Sequence, residues 1–147
     1  MTQEEIKDIF KRLAEPMPVK WRVGPKIGSR LSVLAYLDAR MVQQRLDDIV
    51  GPENWANVYD SETGTATISI FINGEWVSKT DVGTESKVDK EKGKASDSFK
   101  RAAVLWGVGR FIYTDPKYSG KMLPLDQSGK YPTTADGKKI LYNGEQI

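Results

Sequence analysis

The spacing of apolar residues changes period along this chain, and each change marks an element. Ile6, Ile9, Phe10 and Leu13 recur at helical spacing, Thr2 stands three residues before Glu5 as in a capping box, and Pro16 follows. This predicts a helix over 2–14. Residues 19–23 read as a short extended segment, with Gly24, Pro25 and Gly28 marking a loop. Residues 32–37 read as a strand leading to Asp38, the N-cap of a helix that runs through Val50, faces Val42, Leu46 and Ile49 inward, and closes at Gly51 and Pro52. From Trp55 the period becomes two. Strands are predicted over 55–61, 65–72 and 75–81, joined by the SETG turn at 61–64 and by Asn73 and Gly74, a dipeptide that favours tight hairpins. Residues 84–94 are polar and read as a loop.

A second strongly patterned helix follows. Phe99, Ala102, Ala103 and Trp106 fall on one side at i, i+3, i+4 and i+7, so the adjacent Lys100 and Arg101 must point elsewhere. Val104 and Leu105 lie on the same broad side as those cations, a second apolar surface suited to a neighbouring subunit. Gly107 and Gly109 lack the third glycine of a dinucleotide motif and read as a helix C-terminus. Residues 114–147 are rich in Gly, Pro, Lys and Tyr, with Asp136 and Gly137 suggesting a terminal hairpin. The four tryptophans, Trp21, Trp55, Trp76 and Trp106, read as core or interface anchors rather than base-stacking platforms. The class is therefore α+β: an antiparallel three-stranded meander followed by a basic helix, preceded by an N-terminal helix and strand.

Composition narrows the chemistry. The 147 residues suffice for one domain with a core. The absence of cysteine and histidine excludes disulfides, thiolate zinc sites and Ser-His-Asp hydrolysis, so no catalytic residue, metal ligand or cofactor is expected. No apolar run spans a bilayer and the N-terminus carries no signal-peptide stretch, which leads to the expectation of an intracellular protein without a membrane partner. The net charge of +2 conceals a division: residues 20–45 carry a local balance of +5, residues 46–86 one of −7, and residues 87–101 one of +3. A polyanion such as DNA would be drawn to the two basic segments.

Three motifs in order carry a family resemblance: YLDAR at 36–40 followed by VGPENW at 50–55, DVGTE at 81–85, and DSFKRAAVLWGVGRFIY at 97–113. Together they resemble the Rad-fifty-two family of single-strand annealing proteins, most closely its phage branch of Sak-type proteins, over about residues 18–125. That resemblance implies a single-strand annealing domain at 1–125 with a tail or small hairpin at 126–147. It also implies ATP-independent annealing in recombination and repair, ring or helical homo-oligomers, and the bacterial cytoplasm as the location if the chain is phage-encoded. A single-strand-binding protein or a recombinase would be a further partner.

The resemblance also assigns residues. Lys100 and Arg101 match the pair lining the groove for single-stranded DNA, and Arg40 matches an arginine on the strand backbone. Lys87, with Lys90, Lys92 and Lys94, matches an outer DNA site, to which Lys117 and Lys121 would add. Two positions depart from the pattern. Val104 stands where several members carry a further cation, a place that Arg110 or Arg45 would have to fill, and Asn73 and Gly74 occupy the hairpin where the family can offer a lysine.

The residues themselves leave alternatives open. Lys100 and Arg101 could be a surface feature paired with Asp97, and the loop lysines merely solvated. No GxxxxGK[ST] phosphate loop is present, consistent with annealing driven by base pairing. A strand- or end-protecting protein that does not promote pairing shares the same features. A metal-dependent nuclease would use Glu85 and Lys87 with Asp81 or Asp60.

Overall fold

The computed structural model describes residues 1–28, 30–84, 90–118 and 121–124. The chain divides into two compact units that interleave in sequence: Met1–Pro16 with Asp38–Phe111, and Met17–Leu37 with Ile112–Ile147.

The first unit opens with α1 (Gln3–Leu13). The Thr2 hydroxyl accepts the Glu5 N–H at 3.1 Å, Glu4 and Glu5 occupy the first turn, and Lys11 and Arg12 the last. Both charge placements complement the helix dipole. Leu13 is fully buried, and Phe10 stacks on Trp106 with ring centres 5.9 Å apart. In α2 (Ala39–Val50) the Asp38 carboxylate caps the Met41 N–H at 2.9 Å, Val42 and Leu46 are buried, and Gly51 ends the helix at φ 93°.

Three antiparallel strands follow as a meander: β3 (Trp55–Asp60), β4 (Thr65–Ile72) and β5 (Glu75–Val82). Asn73 and Gly74 both take positive φ, 53° and 81°, the conformation that a two-residue hairpin turn matched to strand twist requires. Central β4 buries Ala66, Ile68, Ile70 and Ile72 on one face, and α3 (Lys90–Leu105) packs there. Ser98, Phe99, Ala102, Ala103 and Trp106 are buried, the small residues allowing close approach. Gly83 sits directly against the helix backbone, since a Cβ there would stand 2.5 Å from the Ser98 nitrogen. The Trp106 indole donates to the Ile68 carbonyl at 3.1 Å, which ties the helix end to the central strand.

The C-terminus of α3 is a Schellman motif: Val108 N–H reaches the Ala103 carbonyl and Gly107 N–H that of Val104, both at 2.9 Å, with Gly107 at φ 98°. This agrees with the reading of the two glycines. A short helix, α4 (Phe111–Thr114), follows.

The start of α3 differs from expectation. The polar stretch read as a loop through residue 94 is helical from Lys90. Apolar periodicity is silent before Phe99, but Lys and Glu are good helix formers that extend a helix already anchored by its packed second half.

In the second unit β2 (Arg30–Tyr36) lies between β1 (Lys20–Ile27) and β6 (Lys121–Pro124), all antiparallel. Here too the sequence reading needs correction. Gly24 and Pro25 lie within β1, at a register shift between Val23 and Lys26. An edge strand tolerates a proline, and the irregularity absorbs its missing donor. β6 falls in the stretch rich in Gly, Pro, Lys and Tyr, where no strand was placed at these residues. The expected hairpin at Asp136 and Gly137, and the tail at 126–147, lie outside the described residues.

Candidate nucleic-acid interface

Helix α3 shows its apolar side to the sheet and its cations outward. Arg101 is exposed and Lys100 half-buried, one turn before the Schellman motif fixes the helix end. The Asp97 pair anticipated as the bland reading is present: its Oδ2 accepts Arg101 Nε at 2.9 Å. The same oxygen accepts the Thr84 N–H at 2.8 Å and the Thr84 hydroxyl at 3.1 Å. Partial burial by itself would raise the Asp97 pKa, but the Thr84 N–H, the Arg101 guanidinium and the Thr84 hydroxyl together outweigh it and hold the carboxyl below its ordinary range. Asp97 thus sets the Arg101 side chain and fastens the end of β5 to α3.

The remaining candidates sort by what their side chains already hold. Arg40 is exposed in the first turn of α2, two residues after the N-cap Asp38, and has no ion pair among the described residues. A cation at a helix N-terminus is opposed by the dipole, so local helix stability does not explain it. Arg110 donates to the Val104 carbonyl at 2.8 Å and 3.2 Å and to that of Leu105 at 3.0 Å. Arg45 donates through one nitrogen to the carbonyls of Arg12 (2.9 Å), Leu13 (3.3 Å) and Glu15 (2.9 Å). Both arginines therefore close helix ends, Arg110 that of α3 and Arg45 that of α1.

Lys94 lies across Gly64, where its aliphatic end fills the space a Cβ would take. Lys92 is placed by its backbone on α3 and Lys121 by its backbone on β6, while Lys87 lies outside the described residues. Lys117 is exposed in the second unit, its Nζ 5.3 Å from the Tyr118 ring centre. Val104 is half-buried and Leu105 is 38% exposed.

One surface was missed from the sequence. Strand register puts Ala56, Val58, Thr67, Ser69, Phe71, Trp76, Ser78, Thr80 and Val82 on the sheet face opposite α3, with Asp60 its one charge. Thr67 and Thr80 bond at 2.7 Å, as do Ser69 and Ser78. Trp76 is 54% exposed against a half-covered Phe71, whereas Trp21 and Trp106 are buried. The signal was the Thr/Ser alternation opposite the isoleucines, which marks an uncharged polar face rather than a basic one.

The same register bears on the nuclease alternative. Asp81 pairs with Ala66 on the α3 side, while Asp60 pairs with Thr65 on the other side, so the sheet separates the two acids. No group of three or more metal-ligating side chains occurs among the described residues. No helix among them is long and apolar enough to cross a membrane.

Comparison with known proteins gives two relatives. The chain is 38% identical over 122 residues to the single-stranded DNA-binding protein DdrA of Deinococcus deserti, covering 77% of this chain and 60% of that protein. It is 34% identical over 122 residues to the single-stranded DNA-binding protein DdrA of Deinococcus radiodurans, covering 77% and 58%. The chain thus spans a little under two thirds of the length of these curated relatives. No family model and no solved structure matches.

Proposed function

We propose that this chain binds single-stranded DNA and, as an ATP-independent annealing protein of recombination and repair, helps complementary strands to pair. The observation that carries the reading is the Lys100 and Arg101 pair, held outward on a helix whose other side is locked into the sheet. Cations fixed on a rigid element hold phosphates without reading sequence, which leaves base edges free to pair. The names of the two relatives and the three ordered motifs support the same reading. Arg40, Lys87, Lys92, Lys94, Lys117 and Lys121 serve as further backbone contacts; Arg110 and Arg45 do not, because helix carbonyls occupy them.

One subunit covers few nucleotides, so the chain works as a homo-oligomer, a ring or a helical array. The exposed edge of Leu105 and the cation-free outer face of the meander, with exposed Val58, Phe71, Trp76 and Val82, support association, since exposed apolar side chains are covered favourably by another copy. Sedimentation of the purified chain tests this: a monomer at micromolar concentration, with and without DNA, would refute it.

The test of function is annealing of two labelled complementary oligonucleotides without ATP or Mg²⁺, using wild type and Lys100→Ala/Arg101→Ala. Acceleration by wild type that the variant loses is expected. A second reading, protection of strands or ends without pairing, is favoured by the relatives' names, which speak only of binding. Tight binding without acceleration would establish that reading in place of annealing. Absence of binding would overturn both.

A further inference from the structure

Two apolar stripes of the first unit run further than its core. In α1, Phe10 stacks on Trp106 and Leu13 is fully buried, but Ile9 beside them is only half-buried. In α2, Ile49 continues the stripe of buried Val42 and Leu46 by one more turn, and it too is half-buried, as is Val50. These three side chains, with Phe71 of β4 at 40% exposure, line a groove of about 600 Å³ that Asn54 and Asn73 complete. All of them belong to the first unit. The volume lies within the range of clefts that hold ligands, about 300–1,000 Å³.

The two amides add hydrogen-bonding capacity to this apolar floor. Asn54 Nδ2 donates to the Val50 carbonyl at 2.8 Å and to Glu53 Oε1 at 3.2 Å, while its Oδ1 has no donor among the described residues. Asn73 Oδ1 accepts the Met1 ammonium at 3.2 Å, while its Nδ2 has no acceptor among them. One acceptor and one donor of this kind match the N–H and C=O groups of a peptide backbone.

Charge decides which peptide fits. Glu5 stands one helical turn before Ile9, Glu53 adjoins Asn54, and Glu75 follows Gly74, which also lines the groove. All three glutamates are exposed, and none has an ion pair among the described residues. The Met1 ammonium offsets part of this charge and leaves the rim acidic. A phosphate chain is repelled by such a rim, whereas a segment whose apolar side chains are flanked by lysine or arginine is complementary to it.

We infer that this groove is a docking site for a basic, amphipathic peptide segment of a partner protein. Apolar side chains of the segment fill the space lined by Ile9, Ile49 and Phe71, its backbone meets Asn54 and Asn73, and its cations face Glu5, Glu53 and Glu75. The inference does not rest on the single-strand reading, since the charge of the groove has the opposite sign to that of a DNA surface.

The experiment uses the full chain and a short fluorescein-labelled peptide of leucines flanked by lysines, read by anisotropy, with glutamates in place of the lysines as the control. Wild type should bind the lysine peptide and leave the glutamate peptide free. Glu5→Gln/Glu53→Gln/Glu75→Gln should weaken binding about tenfold, the combined effect of three surface ion pairs. These side chains are exposed, so this variant should keep the circular dichroism spectrum of wild type. Ile9→Thr/Ile49→Thr, which keeps the β-branched shape but adds hydroxyls to the floor, should weaken binding by a similar factor. No binding by wild type, equal binding of the two peptides, or unchanged affinity in the folded glutamine variant would overturn the inference. Sedimentation without peptide tests the other occupant: if the glutamine variant assembles into fewer copies than wild type, a second copy covers the groove and the partner segment is refuted.

Discussion

Replacing Arg45 with methionine separates a DNA contact from a structural one. In the folded chain one guanidinium nitrogen of half-buried Arg45 meets three carbonyls at the end of α1, those of Arg12, Leu13 and Glu15, at 2.9–3.3 Å. The last carbonyls of a helix have no partner within it, and a cation there also favours the dipole. Methionine keeps much of the apolar stem and removes the donors. Charge-assisted hydrogen bonds contribute about 1.5–3 kcal/mol each when shielded. In the variant water can reach two of these three carbonyls, whose bonds are exposed, so the combined loss should be about 1–2 kcal/mol. For a chain of this length that lowers Tm by roughly 3–6 °C. Thermal unfolding followed by circular dichroism reads the first quantity, and the salt dependence of oligo-dT binding reads the second, which should not change. An unchanged Tm together with a slope reduced by about 0.7 would refute the reasoning and return Arg45 to the DNA surface.

Other expectations follow from single contacts. Gly83→Ala should cost about 3 kcal/mol or more, because its Cβ would meet backbone of α3 at 2.5–3.0 Å, whereas Gly74→Ala, in open space at φ 81°, should cost only about 1–2 kcal/mol; denaturant midpoints in the reverse order would contradict this. Trp106→Phe should cost about 2 kcal/mol, since it orphans the buried bond to the Ile68 carbonyl and weakens the Lys79 contact 4.8 Å from the ring, and unchanged urea unfolding would count against both. The Asp97 carboxyl is held below its ordinary range, so its stabilisation is fully present above the unfolded pKa of about 4 and is lost as pH falls through the lower folded value. Wild type should therefore lose more stability than Asp97→Asn between pH of about 5 and 2, and parallel pH–stability curves would remove Asp97 as the cause.

What the sequence determined by itself is what neighbours within a few turns enforce. The caps Thr2 and Asp38, the Asn73 and Gly74 turn, the alternation of β4 and the glycines after α3 lie where their patterns predicted, because each is decided by backbone sterics and a local hydrogen bond. The reading failed where distant chain decides. β1 continues through Gly24 and Pro25, and residues 121–124 become β6, because β2 offers them a ladder. The Lys100 and Arg101 pair was legible from helical spacing, but the tasks of the arginines were not. Arg45 and Arg110 meet carbonyls five to 33 positions away along a path that only folding closes, while Arg22 and Arg30 come to share a face through strand register. Charge can be counted along a chain, but whether a charge faces solvent or a carbonyl depends on what the tertiary structure brings beside it, and that division separates the candidate DNA surfaces from the helix clamps.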